Sequence, residues 1–138
     1  MKTTTLILAG SILMAGTAFA RAEMLTFKAD MTPGSEVPPA AESKGSGEAT
    51  VMIDTETKKV TWQTTVKDLT GDATAAHIHG PAETGKNAPP MIDLSAGIMK
   101  GEGTVTDQQL ADIQAGRAYV NIHTAKYPDG EIRGQLLK

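Results

Sequence analysis

Apolar and polar residues alternate with a period of two along most of this chain, as they do in strands with one buried face. Leu25, Phe27, Ala29 and Met31 alternate with Thr26, Lys28 and Asp30. Ala49, Val51 and Ile53 alternate with Thr50, Met52 and Asp54; after a polar turn at Thr55 to Lys58, Val60, Trp62, Thr64 and Val66 repeat the pattern. That pair reads as a hairpin, with Trp62 as its core anchor. Between the first strand and the hairpin, Thr32 to Gly47 is rich in Pro, Gly, Ser and Glu, the composition of a loop.

Further on, Ala75 to His79 reads as a strand, followed by a long surface loop, Gly80 to Pro90, with three prolines and two glycines. Met91 to Leu94 is a short strand and Gly97 to Val105 a weaker one. Thr106-Asp107-Gln108-Gln109 has the form of a capping box, with Leu110 and Ile113 on one face and Gly116 placed to stop the turn. Residues 107–115 therefore form the only expected helix. Ala118 to Thr124 and Glu131 to Leu137 are strands joined through the turn Tyr127-Pro128-Asp129-Gly130. Short strands at roughly ten-residue intervals predict an all-β fold: an antiparallel, Greek-key-like sandwich or barrel with one short helix.

Residues 1–20 read as a secretory signal peptide: Lys2, an apolar stretch from Leu6 to Phe19, and the small-x-small site Ala18-Phe19-Ala20. Cleavage after Ala22 is the alternative. The apolar run is too short for a membrane anchor. Residues 21–138 are the size of one β domain, expected in the periplasm or the medium. The absence of cysteine excludes a disulfide and a lipoprotein anchor. Removing residues 1–20 takes away Lys2 alone and leaves 12 basic against 16 acidic residues, interspersed along the chain. That balance argues against nucleic acid or an anionic membrane surface as partner.

The three histidines carry the chemistry. His77 and His79 lie two apart in one strand and so share a face, and His123 lies 44 residues further on in another. Two imidazoles so placed can lean on one ion, and a third from a neighbouring strand completes a three-nitrogen site. His123 shares its face with Tyr119 and Asn121, opposite the apolar Val120 and Ile122. The alternative is a set of hydrogen-bonded strand histidines with no ligand. Imidazole suits copper, zinc and nickel, and copper(II) binds tightest of the divalent ions. With no thiolate, a blue-copper site is excluded; copper is the expected ion and zinc the alternative. Asp72, Glu83 and Asp93 could each add a carboxylate and Met91 a thioether. Asn121 could orient a histidine or be a plain polar strand residue, and Tyr119 reads first as a packed tyrosine that could also stand beside the metal. Arg133 and Glu131, two apart, read from the residues alone as a surface charge pair. Neither a Gly-x-Ser-x-Gly elbow nor a phosphate-binding glycine loop is present.

The segments Ala75-Ala76-His77-Ile78-His79-Gly80-Pro81-Ala82 and Gly116-Arg117-Ala118-Tyr119-Val120-Asn121-Ile122-His123-Thr124, followed by Tyr127-Pro128-Asp129-Gly130-Glu131-Ile132-Arg133-Gly134-Gln135-Leu136, resemble the signature of the CHRD domain, named from chordin. The resemblance runs from about Thr26 to the C-terminus. It implies a protein of a family common among bacterial exported proteins. A second likeness is to the copper site of the copper–zinc superoxide dismutase family. There, His77 and His79 match a ligand pair, His123 a later ligand, and Arg133 the arginine that guides the anion. That family's bridging histidine, zinc ligands and cysteine pair have no counterpart here. Together these likenesses imply an exported protein that binds one copper ion through His77, His79 and His123, for sequestration, delivery or limited redox chemistry. The alternatives are a metal-free extracellular or matrix module that contacts protein partners through the Gly80–Pro90 loop, and a superoxide-dismutase-like enzyme.

Overall fold

A computed structural model describes residues 21–138; the expected signal peptide lies outside the described residues. Eight strands form two antiparallel sheets, as the alternation predicts. The first sheet has the order β1 (Met24–Met31), β2 (Ser46–Asp54), β3 (Lys59–Lys67), β6 (Lys100–Thr104). The second has the order β5 (Pro90–Asp93), β4 (Ala73–His79), β7 (Tyr119–Thr124), β8 (Ile132–Gln135). The chain thus crosses between sheets after β3, after β5 and after β6.

The core lies between the sheets, where the apolar halves of the alternating patterns meet. Leu25, Phe27, Met31, Val51, Ile53, Val60 and Trp62 from one side face Ala76, Ile78, Ile92, Val120, Ile122 and Ile132 from the other. Each large aliphatic or aromatic side chain so buried contributes about 1.5–3 kcal/mol. Trp62 seats against Gly101, its cross-strand partner, and its indole N–H donates to the Gly97 carbonyl at 2.8 Å. That carbonyl belongs to a 3₁₀ turn, Ser95–Gly97, so the expected weak strand over Gly97 to Val105 is shortened to β6. The helix α1 (Asp107–Gln114) has the expected capping box: Thr106 Oγ1 accepts from the Gln109 amide and Gln109 Oε1 from the Thr106 amide. Leu110 and Ile113 are its buried apolar residues.

The sandwich closes along one side. Lys28 and Leu137 exchange backbone hydrogen bonds of 2.8 and 2.9 Å, and Thr32 and Arg133 exchange bonds of 2.9 and 3.1 Å, tying β1 to the region of β8. At this seam Gly134 is required by close approach: a Cβ there would clash with the Asp30 carbonyl oxygen.

β7 departs from a half-exposed strand. All six of its residues are buried, although the sequence alternates. Val120 and Ile122 enter the core; Tyr119, Asn121 and His123 face outward and are buried instead by the loops that fold over the second sheet.

Candidate metal centre

Cross-strand partners share a face, so the register of the second sheet sets the outer layer. Asp93, His77, Asn121 and Arg133 form one row across β5, β4, β7 and β8. His79, Tyr119 and Gln135 form the next, and Ala75 with His123 the row on the other side. His123 is therefore diagonal to His77, within side-chain reach, and the small Ala75 opposite it leaves the space open.

The three imidazoles meet there. Ring centroids are 5.0 Å apart for His77 and His123, 5.5 Å for His77 and His79, and 6.5 Å for His79 and His123. One nitrogen from each ring lies within 4.8 Å of the others. Their hydrogen bonds assign the tautomers. His123 Nδ1 is 2.8 Å from the Pro128 carbonyl and His79 Nδ1 is 2.8 Å from the Ala88 carbonyl. A carbonyl only accepts, so both Nδ1 atoms carry the proton and both Nε2 atoms carry a lone pair. His77 Nδ1 stands 3.0 Å from His123 Nε2 and donates to it. His77 Nε2 lies 3.8 Å from Asp93 Oδ1.

His79 Nε2 is the exception, buried with no hydrogen-bond partner. Among the described residues it shares that condition only with Glu36 Oε1 and Asn121 Oδ1. Both belong to the same layer: Glu36 Oε1 and Asn121 Nδ2 crowd the same side of Gly130, each within 3 Å of where a Cβ would stand. Burial depresses the pKa of His77, with the neighbouring His123 adding to the effect. Burial likewise depresses that of His79, against the opposing bonds to the Ala88 carbonyl and the Asn121 side chain. Neutral rings with free lone pairs are what a metal ion needs. Partners on the far nitrogens, as Ala88 and Pro128 provide, are the usual outer supports of ligating histidines.

The fit to a metal is therefore favourable. Nitrogens bound to one ion at about 2 Å each are separated by about 3 Å, the separation that His77 Nδ1 and His123 Nε2 already have; to ligate, His77 would carry its proton on Nε2 instead, on the side of Asp93. The third donor, His79 Nε2, has no well-placed hydrogen bond of its own.

The neighbouring candidates fall into place unequally. Tyr119 lies under His79, rings stacked at 4.9 Å and 4°. Asn121 sits mid-row between His77 and Arg133 and gives a long 3.4 Å bond to the Asp129 carbonyl. Asp93 is the carboxylate nearest a histidine; Asp72 and Glu83 are exposed elsewhere, and Met91 packs against the core beside Gly80. The expected surface charge pair of Arg133 and Glu131 does not exist. Both side chains are buried: Arg133 stacks over Tyr119 with Cζ 3.4 Å from the ring centre, and Glu131 accepts from Ser43, Thr70 and Thr124. Alternation correctly turned Arg133 outward from the core, but covering loops removed the solvent.

Glu36 was missed from the sequence. It lies in the Pro-rich loop, is 6 % exposed, and burial raises its pKa from 4.5 to about 7 against the pull of Arg133 and Asn121. Nothing periodic marks it; its only signal is a lone carboxylate within Ser35-Glu36-Val37-Pro38-Pro39.

No helix among the described residues is long and apolar enough to cross a membrane. In comparison with known proteins, neither a curated protein nor a solved structure matches the chain. The family model of the CHRD domain matches residues 27–136, from the middle of β1 to just past β8, and takes in all three histidines, Tyr119, Asn121 and Arg133. The superoxide dismutase likeness has no such support. With the match covering both sheets and the whole outer layer, the chain belongs to the CHRD domain family.

Proposed function

We propose that this CHRD-domain protein is exported and binds one copper ion through His77, His79 and His123. The observation that carries the reading is the unpartnered, buried Nε2 of His79, turned into a layer where His77 Nδ1 and His123 Nε2 already stand at ligand spacing. Metal-free, the line Asp93–His77–His123–Pro128 satisfies two imidazoles with hydrogen bonds and a nearby carboxylate. It leaves His79 Nε2 without a well-placed hydrogen bond, with only the Asn121 side chain beside the ring, a cost of up to about 1–3 kcal/mol. An ion removes that cost. This favours the metal reading over a partner-binding module without metal.

Three imidazoles and no thiolate suit copper(II) first and zinc second. The ligands, once loaded, would offer a Lewis-acid or one-electron centre. Sequestration or delivery is supported better than dismutase chemistry: the Arg133 guanidinium is 2 % exposed and bonded within the protein, so it presents no cation to an incoming anion. Export rests on residues 1–20 and places the mature N-terminus at Arg21 or Glu23.

The test is copper(II) titration of residues 21–138 followed by electron paramagnetic resonance, with the triple variant His77→Ala, His79→Ala, His123→Ala beside it. One tight equivalent with nitrogen hyperfine structure, lost in the folded variant, is expected. Weak binding that survives in the variant would sink the reading and turn the search to protein or matrix partners.

A further inference from the structure

Among the described residues, Arg133 is the largest of the fully buried side chains. Taking a guanidinium out of water costs several kcal/mol unless its donors and charge find partners. Its partners here are concentrated in one place. Nη1 donates to Asn87 Oδ1 at 3.0 Å and Nη2 to the Lys86 carbonyl at 2.6 Å, two bonds into adjacent residues of the 80–90 loop. Its Cζ lies 3.4 Å from the centre of the Tyr119 ring. The buried Glu36 supplies a nearby carboxyl.

The next residue of that loop is Ala88, and Ala88 is what sets His79. Its carbonyl accepts from His79 Nδ1 at 2.8 Å. Its amide nitrogen and its carbonyl oxygen both stand 3.2 Å from the Tyr119 hydroxyl. Tyr119 in turn has the His79 imidazole stacked on it. Arg133 therefore touches both things that fix His79: the segment that takes its Nδ1 proton and the ring that sets its plane. Asn87 extends the tie, donating from Nδ2 to the Val37 carbonyl at 2.8 Å and joining this loop to the one that carries Glu36.

We infer that Arg133 is a positioning residue, a latch that holds residues 86–88 down over the second sheet and so keeps His79 with Nδ1 protonated and Nε2 free towards His77 and His123. The inference rests on the metal reading for its purpose, but the latch itself is a property of the metal-free protein. A lysine cannot replace it. Its single ammonium cannot reach Lys86 and Asn87 in a fork while also lying against the Tyr119 ring.

The experiment uses residues 21–138, with Arg133→Lys and Asn87→Ala. Without metal, imidazole ¹H–¹⁵N spectra are read for the Nδ1 protons of His79 and His123. In the unaltered protein both should be visible and slow to exchange. Arg133→Lys should lose or greatly speed the His79 signal while keeping that of His123, whose support comes from Pro128. With copper(II), the same variant should bind about 10–100-fold more weakly, its hyperfine pattern falling from three nitrogens to two. An Arg133→Lys protein that matches the unaltered one in both readouts overturns the latch. If that variant does not fold, Asn87→Ala decides, because Asn87 is exposed and cuts one arm of the fork. Faster exchange at His79 alone supports the latch, and an unchanged signal overturns it. If the unaltered protein takes up no copper, the metal reading fails and the metal-free spectra still decide on Arg133.

Discussion

His79 and Tyr119 are register partners across β4 and β7, and their rings lie parallel, 4° apart in plane and 4.9 Å apart in centre. Here the Tyr119 hydroxyl is held at Ala88 and His79 Nδ1 at the same residue. Tyr119→Phe should keep the stack and remove the hydroxyl, leaving the Ala88 amide short of its acceptor. The expected loss is about 1 kcal/mol, read as a lower urea midpoint with an unchanged slope. A change smaller than experimental error would mean that the hydroxyl bonds carry no net weight.

Glu131 gathers four hydrogen bonds in the interior: from Ser43 Oγ at 2.6 Å, the Thr70 amide at 2.8 Å, Thr70 Oγ1 at 2.6 Å and Thr124 Oγ1 at 2.5 Å. Burial pushes its pKa up, but the donors outweigh burial and leave it below 4.5. A carboxyl lowered in the folded state contributes stability that is present above its unfolded value and lost as pH falls through its folded value. Glu131→Gln should therefore destabilise by roughly 2–3 kcal/mol at neutral pH, with the deficit shrinking as the pH falls through the lowered folded value of the carboxyl. Urea unfolding at pH 7 and pH 3 checks both parts.

Glu36 has the opposite sign. Its pKa is raised by burial to about 7, so its favourable contribution is present below 4.5 and is lost as pH rises through about 7. The gap corresponds to on the order of 3 kcal/mol of ionisation penalty above neutrality, for a side chain 6 % exposed. Glu36→Gln, which cannot ionise, should equal the parent near pH 4.5 and exceed it at pH 8. Thermal unfolding at the two values would show a difference that grows with pH; a constant difference refutes the assignment.

Gly134→Ala should open the seam between β1 and β8. The added methyl would meet the Asp30 carbonyl oxygen and the Ala29 Cβ, backbone and short side chain with little freedom to move. A loss of about 1–3 kcal/mol is expected from overpacking, with faster hydrogen exchange at the Lys28 and Leu137 amides. The exposed Gly71, where a Cβ meets nothing within 4 Å, provides a control for the glycine change itself.

Period-two alternation is a physical record of which side of a strand meets the core, so the strands, the hairpin anchored by Trp62 and the capped helix could be read in the residues before any coordinates. The same record placed His77, His79 and His123 on one outward face, because facing is decided locally. Their convergence was not local: it depends on β4 pairing with β7 so that Ala75, not a bulky residue, stands opposite His123. Burial of the outward face was illegible for a related reason. Whether a loop lies on a sheet depends on long-range bonds such as Arg133 to Lys86 and Asn87 to Val37, and no spacing in the sequence encodes them. Hence Arg133 and Glu131 read as solvated, and Glu36 drew no notice.

The Glu131 cluster joins Ser43, Thr70 and Thr124 to one carboxylate across sequence separations of 88, 61 and 7 residues. In a chain that has no cysteine, it serves as a cross-link made of protons rather than sulfur. No reductant can open such a tie and no oxidant is needed to close it. The segments that carry Ser43, Thr70 and Thr124 are thus anchored by a fastening indifferent to the redox state of their surroundings.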